Sequence, residues 1–147
     1  MKKFTLALIA NDSKKDDMVR LIKAHRQELA EMELVATRDT GQLIQGRTGL
    51  HVTLMQSGFH GGIQQIGALV ANGDVKVVIF LRDSLRAQPQ DPDISALMRI
   101  CDIHDVPAAT NLATAEAVLH LLFDHPEALG GHHLMAQFIN EMAAVHQ

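Results

Sequence analysis

A chain of 147 residues, 47% of them hydrophobic and free of low-complexity stretches, suits one compact domain with a substantial core, expected to span residues 1–147. A formal charge of -4 argues against electrostatic binding of nucleic acid, and all 13 Lys and Arg lie at or before Arg99, which leaves an acidic, histidine-rich tail. The single cysteine, Cys101, excludes an internal disulfide, and the apolar run "FTLALIA" is too short, and too closely followed by "NDSKKDD", for a signal peptide or a membrane span. A cytoplasmic protein without a membrane partner is therefore expected.

In chain order, "KFTLALIA" (3–10) is a short, nearly unbroken apolar run, the pattern of a strand buried on both faces of a parallel sheet. "KKDDMVRLIKAHRQELA" (14–30) changes period and sets Met18, Leu21, Ile22, His25 and Leu29 on one helical stripe. Ser13 reads as its N-cap, with Asp16 as the capping-box partner. "ELVAT" follows as strand two, "GQLIQGRTG" as a short helix, "HVTLM" as strand three and "IQQIGALVANG" as a helix. "VKVVIFL" (75–81) is strand four, "DISALMRICDIH" a helix, "VPAAT" strand five and "ATAEAVLHLLFD" a helix. A last helix is expected at about 134–146, after the "GGHH" turn. Regular alternation with short loops predicts an α/β fold: a doubly wound, mainly parallel five-stranded sheet with helices on both faces.

Ligands of such sheets sit beyond the carboxyl ends of the strands, and those ends are polar in this chain. They carry Asn11-Asp12-Ser13 with Lys15, Thr37-Arg38-Asp39-Thr40-Gly41, Ser57-Gly58, Arg82-Asp83 and Thr110-Asn111, and all five are expected to converge on one rim. Hydroxyls, glycine amides and a lysine at helix N-termini suit a phosphate monoester, because free N–H groups and the helix dipole favour an anion. Each residue read alone is equally an ordinary cap or turn residue.

Other chemistries fit less well. A receiver domain shares the winding, but strand three ends in Gln-Ser where a phosphoacceptor aspartate is needed, and no lysine follows strand five. "GFHGGIQQIG" lacks the G-x-G-x-x-G spacing of a dinucleotide site. His120, His125, His132, His133 and His146 match no standard metal-ligand spacing, so no metal is expected.

"ALIANDSKKDDMV", "ATRDTG", "QSGFHGGIQQIGALV" and "LRDSLRAQPQDPDISALMRICDIHDVPAATNLATAEA" resemble, in order and spacing, the methylglyoxal synthase family, whose enzymes remove phosphate from dihydroxyacetone phosphate. The resemblance runs from about residue 4 to about residue 122 and implies a doubly wound α/β fold, a homohexamer and no metal or organic cofactor. It places Lys15, Thr37, Thr40, Ser57 and Gly58 at phosphate-binding positions, and Asp12, Asp83 and Asp93 at acidic positions in or near the active site. The chain departs from the family pattern elsewhere. The family has histidine at Asn11, glycine-threonine at Arg38-Asp39, aspartate at Ile63 and histidine at Gln90, and its C-terminal phosphate-binding arginine has no counterpart after Arg99.

The residue at Ile63 is the family's base, which takes a proton beside the carbonyl to give the enediolate that expels phosphate. Isoleucine cannot accept a proton, and the amide of Gln90 donates only a hydrogen bond where histidine supplies an acid. A replacement base would come from Asp93, Asp12, Asp39 or His60. Arg38 is either a substitute cation for the phosphate or half of a solvated pair with Asp39. Three readings follow: a binder or sensor of phosphate or a small phosphorylated metabolite, an active lyase with a relocated base, and an oligomeric scaffold.

Overall fold

A computed structural model describes residues 2–129 and 141–145. Five parallel strands form one sheet in the order β3-β2-β1-β4-β5: β1 (Phe4–Ala10), β2 (Leu34–Ala36), β3 (Thr53–Leu54), β4 (Val75–Leu81) and β5 (Ala108–Ala109). The long central pair runs in register from Phe4 opposite Val75 to Ala10 opposite Leu81. The chain winds outward from β1 to β3, then reverses across the sheet to β4 and β5. Right-handed crossovers place the connecting helices on opposite faces before and after such a reversal.

That is the arrangement found. α1 (Lys15–Ala24) and α3 (Arg38–Thr48) pack on one face, joined there by α6 (Leu112–Asp124); α4 (Gly62–Ala71) and α5 (Asp91–Ile103) cover the other. Leu6, Leu8, Val77, Ile79 and Leu81 point into the first core, Ala7, Ile9, Val78 and Phe80 into the second. Burial on both faces is the reason β1 and β4 read as unbroken apolar runs. The reversal leaves a crevice at the carboxyl ends of β1 and β4, where a doubly wound sheet offers a ligand site.

Several local expectations are corrected. The helix expected over 14–30 is interrupted at His25, where φ -116° and ψ 26° end α1 before the short α2 (Arg26–Leu29) begins. Met18, Leu21, Ile22 and Leu29 nevertheless all remain buried. Ser13 is not the N-cap and Asp16 closes no capping box, because residues Asp12–Lys14 wind into a 3-10 turn and α1 starts from Lys14 without a side-chain cap. The Ser13 hydroxyl instead donates to Asp83 Oδ2 at 2.8 Å.

α3 begins at Arg38, before the expected start at Gly41. Gly41 lies inside the helix because a Cβ there would stand 2.3 Å from the Leu54 side chain, so its role is close packing against β3. α5 likewise begins earlier, at Asp91, with Pro92 in its first turn. Of the expected C-terminal helix, residues 141–145 are helical and exposed, and the rest lies outside the described residues. Among the described residues no helix is long and apolar enough to cross a membrane.

Candidate active site

A cavity of about 50 Å³ opens at the carboxyl ends of β1, β2 and β3. It is lined by Asn11, Asp12 and Lys15 after β1, by Thr37, Asp39 and Thr40 after β2, and by Gly58, Phe59 and Ile63 after β3. Gln88 and Gln90 close it from the loop after β4. Thr37 occupies the N-cap of α3 in an extended conformation and makes no side-chain capping bond, so its hydroxyl is not committed to the helix. Arg38, Asp39 and Thr40 form the first turn, whose backbone amides lack intrahelical acceptors and sit at the positive end of the helix dipole.

The segment after β3 is shaped by two glycines. Gly61 has φ +95°, a left-handed conformation that disfavours side chains, and a Cβ on Gly62 would stand 1.9 Å from the Gln56 carbonyl oxygen. The Ser57 carbonyl accepts from the amides of both His60 and Gly62, which folds the loop tightly back before α4. Ser57 itself does not line the cavity; its hydroxyl is 2.7 Å from His60 Nδ1.

Among the described residues one Lys or Arg side chain lines the site. Lys15 Nζ donates to the Ala10 carbonyl at 3.1 Å and to Asp12 Oδ1 at 2.6 Å, its side chain 19% exposed against 88% for Asp12. The ammonium is thus held at the cavity by a buried carbonyl, while its carboxylate partner lies in solvent. Asn11 Oδ1 accepts the Asp83 amide at 2.8 Å, which leaves its NH₂ group as the free donor. Asp83 is outside the cavity; the Ser13 hydroxyl chiefly, then the Leu85 amide and the charges of Arg86 and Lys14, hold its carboxyl below the usual range against a smaller opposing effect of burial.

Ile63 is buried, 3% exposed, in the first turn of α4. It lines the rim cavity on one side and, on the other, a hollow of about 180 Å³ between α4 and α5 that also contains Asp93. Asp93 therefore lines the hollow behind Ile63 and is not among the residues lining the rim cavity. Of the candidate replacement bases, Asp12 and Asp39 line the cavity, whereas Asp93 and His60 do not. Arg38 is exposed and absent from the lining, and among the described residues no ion pair joins it to Asp39.

The expected convergence of all five strand ends is corrected for Arg82 and for the end of β5. Arg82, Thr110 and Asn111 open onto a separate dent with Lys14 and Asp17, because β5 lies on the far side of β4 from the reversal. Asn111 is an ordinary N-cap whose side chain accepts the Thr114 amide at 2.9 Å. Sequence reasoning missed Phe59 and Gln88, both in loops already singled out for a neighbour, and the floor residues Ile9 and Phe80. A larger hollow of about 470 Å³ lies at the opposite end of the sheet, among Val75, Val106, Pro107 and Leu122, remote from this polar cluster.

The MGS-like domain family matches residues 17–110. Methylglyoxal synthase of Moorella thermoacetica is 56% identical over 121 residues, 82% of this chain and 94% of that protein. The corresponding protein of Carboxydothermus hydrogenoformans is 55% identical over 117 residues, 80% and 97% of the two chains. The crystal structure of methylglyoxal synthase from Elizabethkingia anophelis NUHP1 aligns with a TM-score of 0.75 at 41% identity, over 80% of this chain and 77% of that one. With a family model over most of its length, the same fold as the solved relative and more than half of the aligned residues identical to those of two relatives, the chain belongs to the methylglyoxal synthase family.

Proposed function

We propose that this family member binds phosphate or a small phosphorylated metabolite in the rim cavity and has lost most of the elimination of phosphate from dihydroxyacetone phosphate. The observation that carries this reading is Ile63: a buried isoleucine lines the cavity at the position where the family pattern has its base. Lys15, the first turn of α3 and the glycine loop keep what an anion needs. The proton-transfer side is weakened twice, at Ile63 and at Gln90, and a positioned base or acid is worth about 10²–10⁴-fold each. The two losses are not additive, yet both act in the same direction.

The second reading, an active synthase with a relocated base, is favoured by Asp12 and Asp39, the two carboxylates that line the cavity. Asp12 is engaged by the Lys15 ammonium, so it must leave that ion pair before it can act as a base. Asp39 lines the cavity where its charge would repel a dianion. We further read the protein as a homo-oligomer, a hexamer by family; the exposed apolar side chains of Phe59, Leu85 and Ile103 suit subunit contacts. A pure scaffold would keep those contacts and bind no phosphate.

Calorimetry with phosphate and dihydroxyacetone phosphate, run beside an assay of methylglyoxal formation, separates the three. Binding without turnover supports the sensor, turnover the enzyme, and neither the scaffold. Light scattering reads the oligomeric state independently, and a stable monomer would remove the hexamer from the account.

A further inference from the structure

We propose that His25, Glu116 and His120 form a binding site for one divalent transition-metal ion of the zinc class, remote from the phosphate cavity. His25 ends α1, about 15 Å along the helix from Lys15 at 1.5 Å per residue. Glu116 and His120 are one turn apart on α6 and share a face. His25 Nε2 lies 2.9 Å and His120 Nε2 3.5 Å from the same oxygen, Glu116 Oε2, and the three ligand atoms are all within 4.8 Å of one another. Zinc bonds of about 2.0–2.1 Å in tetrahedral geometry set ligand atoms roughly 3.3 Å apart, so two of the separations already bracket that value.

The charges point the same way. Two imidazole nitrogens face one carboxylate oxygen. Either each carries a proton on Nε2 or a single cation takes the place of both protons, and the second arrangement uses all three groups as ligands at once. Two imidazoles and one carboxylate suit zinc and its neighbours better than calcium or magnesium, which prefer all-oxygen shells. The His25 side chain is 16% exposed and is packed by the Phe123 ring at 5.5 Å, which fixes one ligand in place. His120 is 67% exposed, which leaves a fourth position open to water. The sequence concealed this set because His25 and Glu116 are 91 residues apart and only the histidines of the C-terminal third suggested a metal. A bound ion would clamp the end of α1 to α6.

The test uses the full chain after treatment with a chelator, titrated with Zn²⁺ and, as a spectroscopic probe, with Co²⁺. One ion per chain is expected, with a dissociation constant on the order of 10 µM or tighter. Co²⁺ should show the visible absorption of a low-symmetry, near-tetrahedral site. Zn²⁺ at 100 times its dissociation constant should raise Tm by roughly 5–10 °C. His120→Ala, at an exposed position where folding is not at stake, and Glu116→Gln, which keeps the shape, should each weaken binding at least ~10-fold. His51→Ala, at an exposed histidine outside this set, should leave it unchanged. An affinity indifferent to both His120→Ala and Glu116→Gln, or no Zn²⁺ binding by 100 µM as a rough ceiling, would overturn the proposal and leave a hydrogen-bonded triad.

Discussion

Ile63 and Gln90 both close on Gly58: the Ile63 Cδ1 is 3.7 Å, and the Gln90 Nε2 3.6 Å, from the point where a Cβ on Gly58 would stand. The two residues on which the proposed loss of base and acid rests thus flank one spot on the glycine loop, one presenting a methyl group and the other an amide. Ile63→Asp should restore a little methylglyoxal formation, and Ile63→Asp with Gln90→His more, because base and acid act on the same enediolate. Ile63 is also a core residue, so Ile63→Asp should lower stability by about 2–4 kcal/mol, read by denaturant unfolding. A double variant that folds and gains nothing over the parent would show that the missing groups lie elsewhere.

The contacts of Lys15 make two predictions of opposite sign. Lys15→Ala removes the one Lys or Arg that lines the cavity among the described residues and should weaken phosphate binding about 10–100-fold. Asp12→Asn removes the carboxylate 2.6 Å from the ammonium and should tighten it. Both are read by calorimetry at fixed ionic strength. Equal affinities in parent and Lys15→Ala would place the anion site away from this cavity.

Asp83 offers a check on how the crevice is held together. The Ser13 hydroxyl is the main reason its carboxyl lies below the ordinary 3.8. A depressed value in the folded state stabilises the fold above pH 3.8, and that contribution is lost as pH falls through the folded value. Ser13→Ala should move the Asp83 titration midpoint upward in an NMR pH series. An unmoved midpoint would mean that the bond between the 3-10 turn and the loop after β4 does not persist in solution.

Cys101 behaves in the opposite sense. Burial, with a smaller push from the charge of Asp102, raises its thiol from 9.0 to about 11. The folded chain therefore holds this proton where the unfolded chain releases it. The associated stability is full below pH 9 and declines as pH rises toward 11. Native protein at pH 8 should be alkylated by iodoacetamide far more slowly than the unfolded chain, and Cys101→Ala should flatten the alkaline part of the stability profile. Rapid native alkylation would contradict a buried, protonated thiol.

The winding was legible because β1 and β4 are apolar on both faces and the intervening helices are amphipathic, signals that survive in one dimension. Helix starts were less so. Gly41 reads as a turn residue, but its lack of a side chain answers to Leu54 on a neighbouring strand. Ser13 has the chemistry of a cap, but its hydroxyl is taken by Asp83, 70 residues away. In the site, Lys15, Thr37, Thr40 and Gly58 stand together because each lies shortly after the carboxyl end of β1, β2 or β3, three adjacent strands. Asp93 follows a longer loop, and its place behind Ile63 depends on how α5 packs against α4, which spacing does not encode.

The most direct test of the whole account is the steady-state rate at which the unaltered protein converts dihydroxyacetone phosphate to methylglyoxal, measured at saturating substrate on a preparation that binds phosphate. The isoleucine and the glutamine flanking Gly58 predict a rate at or near background, with phosphate binding intact. A rate on the order of 10 s⁻¹ or more, ordinary for an enzyme, would contradict it and direct the search for the base to Asp12 and Asp39.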